Sequence, residues 1–191
     1  MADDKIQKLA RSFRRLGWTG FFIQLILAII PLLMLGYFLI NKATGGETQL
    51  RITDFLGLIG LAALGFTIIW SYRYTRIGSR LLDPERRPTS ASMMRTLWVG
   101  LWAGCFGIGV SVLLLLIEVI RLVYLFLKAP QAGVPVVQTQ IGRTEWVSAI
   151  DAVSLLAELC TLIGELTVVG FSLWLMYRVY QLGSELDKPA K

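Results

Sequence analysis

Four apolar runs leave this chain few ways to fold. They cover about Gly17 to Ile40, Phe55 to Ile77, Leu97 to Leu127 and Ala149 to Tyr180. About 20 mostly apolar helical residues cross the roughly 30 Å hydrocarbon core of a bilayer, and each run is long enough. A helix in lipid satisfies its own backbone hydrogen bonds, so the spans are read as helices. The 191 residues are 55% hydrophobic and 17% charged, with mean hydropathy +0.63. That balance belongs to a polytopic membrane protein, not a soluble domain. Little chain lies outside the runs. Residues 1–191 therefore read as a single all-α integral membrane domain of four transmembrane helices, solvated by the lipid bilayer, with no nucleic-acid partner.

Ahead of the first span, Ile6, Leu9, Phe13 and Leu16 fall on one helical face, with Lys8, Arg11, Arg14 and Arg15 largely elsewhere. This predicts residues 1–16 as a juxtamembrane amphipathic helix lying on the membrane surface. The first run is too long for a signal-peptide core and lacks a small-residue cleavage site, and Asp3 and Asp4 argue against a transit peptide. Lys and Arg set the orientation. Fourteen of the nineteen lie in the N-terminus, in the end of span two and its connection to span three, and in the end of span four with the C-terminal tail. Both termini and the middle connection are expected on the cytoplasmic or stromal side.

The two halves look related. Tyr72, Arg73, Gly78 and Ser79 match Tyr177, Arg178, Gly183 and Ser184 at one offset, and Arg15, Trp18 and Gly20 match Arg95, Trp98 and Gly100 at another. The chain thus reads as two tandem hairpins, 17–83 and 89–187, related by an axis along the membrane normal. Thr53 or Asp54 is expected to cap span two, and Thr89 or Ser90 span three. Pro31 is expected to bend span one. Residues 129–145 form the longest outer loop.

Span four carries an unusual pattern. Asp151, Ser154, Glu158, Thr161 and Glu165 follow steps of three and four, which keeps them on one helical face. A carboxylate at mid-bilayer costs at least about 2.5 kcal/mol, so the stripe must face protein or water. At 1.5 Å per residue from Tyr177, Glu165 lies about 18 Å deep, Glu158 about 28 Å, and Asp151 at the outer surface. Counted the same way from Leu97, Glu118 and Arg121 reach the depth of Glu158 and Asp151. They are read as an outer-mouth ion-pair cluster. Carboxylate and hydroxyl oxygens suit manganese or ferrous iron. On that reading Glu165 is a mid-membrane metal ligand, with Glu158 and Asp151 the outer ones.

Other features point to packing. Gly100, Gly104 and Gly107 start a small-residue run on span three, and Gly57, Gly60 and Gly65 are expected to act similarly on span two. Most Trp residues sit near span ends as interface anchors. The chain has no His, which removes the default general base. Cys105 and Cys160 form no CxxC pair. No cofactor motif is present, and no enzyme activity is expected.

The stretches SFRRLGWTGFFIQL, IIWSYRYTRIGSRL, DPERRP and AIDAVSLLAELCTL, in this order, resemble the family of cyanobacterial and chloroplast inner-envelope four-helix membrane proteins. Its plant members are described both as a chloroplast iron permease and as a component of the inner-envelope protein-import translocon. The resemblance runs from Arg11 to about Leu182 and is strongest at Phe13, Arg15, Leu16, Gly17, Gln24, Arg76, Asp83, Pro84 and Asp151. It implies a four-span bundle without a cofactor, in the plasma or thylakoid membrane of a cyanobacterium-like cell. The plant pattern has other polar residues at the positions of Glu158, Cys160 and Glu165. Two functions are carried forward. The first is transport of a divalent metal ion along the span-four carboxylates, by a homo-oligomer. The alternative is a non-transporting scaffold, translocation or assembly subunit of a larger membrane complex.

Overall fold

The computed structural model describes residues 2–44, 52–83, 87–128 and 149–186. Five helices make up nearly all of them: α1 (Ala2–Leu27), α2 (Ile29–Ala43), α3 (Ile52–Arg80), α4 (Ser90–Lys128) and α5 (Ala149–Leu186). The 129–145 loop, the Gly45–Gly46 turn and Pro84 lie outside the described residues. Four stretches are long and apolar enough to cross a membrane: Asp4–Asn41, Phe55–Arg80, Ser90–Tyr124 and Asp151–Leu182. The first combines α1 and α2. The break at Ala28 has a local cause, because Pro31 has no N–H to give to the carbonyl of Leu27. The ladder continues around it through Ala28 N to Gln24 O at 2.8 Å and Leu32 N to Ala28 O at 3.0 Å.

The buried positions explain how the helices pack. On α4 they are 93, 97, 100, 104, 107, 111, 114 and 118; on α5 they include 161, 165, 168, 172, 175 and 179. Steps alternating between four and three average 3.5 residues, the repeat of left-handed helix packing. The closest helix pairs are α4 with α5 and α1 with α3, so each hairpin packs on itself; α3 on α4 and α1 on α5 then close the bundle. The outward faces are apolar: Leu33, Ile69 and Trp102 are 65 to 69% exposed, a surface suited to lipid.

One expectation gains detail and one is revised. The amphipathic stretch is helical, and its apolar face meets protein. It runs unbroken into span one, and Ile6, Leu9, Ala10 and Phe13 are buried in one cluster with Tyr74, Leu81, Met93, Leu97, Leu175, Val179 and Leu182. Glycines allow this close approach. A Cβ at Gly78 would stand 2.8 Å from Ala10 O, and one at Gly17 would stand 2.8 Å from Thr75 N. The cap expected at Thr53 or Asp54 is displaced, because α3 already begins at Ile52. At α4 the cap is Thr89, whose Oγ1 accepts from Ser92 N at 3.3 Å.

Phe13→Ala is expected to cost about 3 kcal/mol or more of stability, while Arg14→Ala, on the exposed face, stays within about 0.5 kcal/mol. Unfolding of the purified protein in detergent checks this. Equal, small effects would mean that the N-terminal stretch is not part of the bundle.

Candidate functional site

Glu165 sits where all four spans meet. It is fully buried, and its seat is made by glycine: a Cβ at Gly107 would come 2.6 Å from Glu165 Cδ and 2.7 Å from Oε1. Gly104 makes room beside it, since a Cβ there would meet Val169 Cγ2 at 2.7 Å. Gly100, one turn on, accommodates Trp70, whose Cδ1 would stand 2.8 Å from a Cβ at that position. Thr67 Oγ1 donates toward Glu165 Oε1 at 3.3 Å and toward Leu64 O at 3.0 Å. Thr67 in turn accepts from Gln24 Nε2 at 2.9 Å, and Ser71 Oγ donates to Gln24 Oε1 at 2.9 Å. Ser71, Gln24, Thr67 and Glu165 thus form one chain of hydrogen bonds across α3, α1 and α5. Closer to the chain termini, Tyr74 OH and Ser172 Oγ form a second pair at 2.8 Å.

A pocket of about 180 Å³ opens in the other half of the bundle. Past its kink, α2 packs on α5 and loses the close contact that α1 makes with α3. The gap is lined by Pro31 and other α2 residues, by Gly57 and Gly60 of α3, by Glu118 of α4, and by Ser154, Glu158 and Thr161 of α5. Glu165 is absent from this lining. Arg121 Nη1 lies 3.6 Å from Glu118 Oε2 and 3.5 Å from Asp151 Oδ1. The arginine ties α4 to the first turn of α5.

The span-four acids therefore separate into three environments. Asp151 is ion-paired, Glu158 lines the pocket, and Glu165 is sealed in the bundle. Among the described residues, no three His, Cys, Asp or Glu side chains come together as a metal site. On α3, a Cβ at Gly57 or Gly65 would meet nothing within 4 Å, and one at Gly60 would stand 3.6 Å from Val110 Cγ1. The tight seats expected of these three glycines are not there: Gly57 and Gly60 line the open pocket, and Gly65, beside Thr67, has no neighbouring helix within reach of its position. Thr67, Ser71, Tyr74 and Ser172 were missed from sequence. Their signal was spacing: Thr67, Ser71 and Tyr74 continue the four–three alternation of Gly60 and Leu64 along α3.

Gly107→Ala is expected to cost about 1–3 kcal/mol through overpacking against Glu165. Gly109→Ala should be neutral or stabilising by up to about 1 kcal/mol, because nothing lies within 4 Å of that position. Glu165→Gln keeps the volume and a bond to Thr67, so it should be tolerated better than Glu165→Ala, which leaves a cavity. Detergent thermal-unfolding midpoints of the four variants decide this.

The chain has relatives. It is similar to the chloroplastic protein TIC 21 of Arabidopsis thaliana, with 29% identity over 113 residues. The match takes in 57% of this chain and 37% of that protein, so it spans little more than a third of the curated relative. No solved structure matches. The family described as "Protein of unknown function (DUF3611)" matches over residues 3–180, nearly the whole bundle, and this chain belongs to it.

Proposed function

We propose that this protein is a non-conducting membrane subunit, a scaffold for protein translocation or complex assembly in a photosynthetic membrane. Both termini and the α3–α4 connection face the cytoplasm or stroma in this reading, following the Lys and Arg asymmetry, and the chain carries out no reaction. The observation that carries the proposal is the burial of Glu165. A conducting carboxylate needs water beside it. This one is packed on Gly107 and bonded to Thr67, and the apolar cluster around Phe13, Tyr74, Leu97 and Leu175 lies between it and the termini. Similarity to a chloroplastic protein supports the membrane system. Of the two functions that the family resemblance implies, the translocation or assembly role fits this packing better.

A second reading, divalent-metal transport, keeps one observation in its favour. Glu118 and Glu158 line a common pocket with the hydroxyl-bearing Ser154 and Thr161. Such oxygens suit manganese or ferrous iron as cargo. One experiment separates the two. Liposomes holding the purified chain are expected to admit ferrous and manganous ions no faster than empty liposomes. The chain from native membranes should migrate on native gels in a complex far larger than its own 21.3 kDa. Metal flux that Glu158→Gln abolishes, with folding intact, would overturn the scaffold reading and establish the transporter.

A further inference from the structure

The end of the bundle that carries the termini holds a feature that neither reading uses. Arg73, Arg76 and Arg80 project from α3 at steps of three and four, and together with Ser92 and Thr96 of α4 they line a pocket of about 220 Å³. Among the described residues, none of the three meets a carboxylate. Two of them are held by interface aromatics. The Arg73 guanidinium lies 4.3 Å from the Trp70 ring centre and that of Arg76 5.3 Å from Tyr72. Trp70 is itself fixed, donating Nε1–H to Thr96 O on α4 at 2.9 Å. Ile77 and Met93 complete the pocket with apolar surface. Three like charges on one helix face repel each other, and an anion held among them would relieve that repulsion.

The construction recurs on the other side of the bundle. Arg178, which matches Arg73 at the offset between the halves, lies 4.8 Å from the Trp174 ring centre. It lines a pocket of about 290 Å³ with Lys5 and Gln181. In both places the C-terminal end of one helix meets the N-terminal part of another, with an arginine stacked on a tryptophan. Trp and Tyr mark the headgroup level of a membrane protein, and arginine forks suit phosphate oxygens.

We propose that the Arg73–Arg76–Arg80 pocket binds a phosphate group, and that the Arg178 pocket is its weaker counterpart. The phosphate could come from an anionic lipid headgroup or from free phosphate. The site does not depend on whether the bundle conducts.

The test uses the full-length protein in neutral detergent, with binding read from thermal shift during titration. The probes are short-chain phosphatidylglycerol, phosphatidylcholine and inorganic phosphate. Phosphatidylglycerol should stabilise the protein and phosphatidylcholine should not. Arg73→Gln/Arg76→Gln/Arg80→Gln should weaken phosphatidylglycerol binding by at least about tenfold, since each surface guanidinium contributes several-fold. Arg11→Gln/Arg14→Gln/Arg15→Gln removes the same charge from exposed positions on α1 and should change binding less than about twofold. If the first triple variant misfolds, Arg80→Gln alone should still weaken binding measurably. Competition by inorganic phosphate at matching affinity would assign the site to free phosphate; its failure to compete would assign the headgroup. Equal binding of the two lipids, or equal losses in the two triple variants, would overturn the proposal.

Discussion

A carboxyl group in the middle of a bilayer must be covered by protein, and the middle of this bundle is arranged around covering Glu165. Each span contributes one part. Gly107 of α4 leaves the space, Thr67 of α3 supplies the hydroxyl, Gln24 of α1 holds Thr67, and α5 carries the acid. This fixes the register of all four helices at one level. A slide of one hairpin past the other by one turn would leave Glu165 without Thr67, and in hydrocarbon no water takes its place. The apolar seams on either side permit the packing; the polar layer selects one alignment of it.

The two ends of the bundle differ because one proline sits off-centre. Toward the termini, α1 stays close to α3, and the core fills with Phe13, Tyr74 and Leu97. Beyond Ala28, α2 follows α5 instead, and the pocket opens between α2 and α3. The ion pairs of Arg121 with Glu118 and Asp151 then hold α4 to α5 at the end where the first span has moved away from α3. A path across the membrane through one protomer would have to cross both the polar layer and the apolar core beyond it.

Much of this was legible in the sequence, and the failures have physical causes. The four spans follow from apolar length, and the bend from Pro31. The depth count that put Arg121 level with Asp151 and Glu118 agrees with the contacts found. The stripe from Asp151 to Glu165 was legible as one face of one helix, but its neighbours were not. A helical face says which residues point the same way, not what stands opposite. Thr67 and Gly107 stand opposite Glu165, and both come from other spans. The N-terminal stretch shows a different limit. Amphipathicity identifies an apolar face that needs covering, and lipid or α3 and α5 can cover it equally well on pattern alone. Gly17 and Gly78 decided the matter, by letting backbones meet.

The relation between the halves gives the polar layer a further logic. At the offset of 80 residues set by Arg15 and Arg95, Gly20 corresponds to Gly100 and Gln24 to Gly104. At the offset of 105 set by Arg73 and Arg178, Gly60 corresponds to Glu165 and Thr67 to Ser172. The first hairpin places its long polar side chain on its first helix and a glycine on its second. The second hairpin does the reverse. Two copies with Gln and Glu at both positions would crowd four long polar groups into one layer, and two copies with glycine at both would leave a void. The exchange lets Gln24 and Glu165 reach Thr67 from α1 and α5. A layer built this way favours association of one hairpin with the other over association of either with itself.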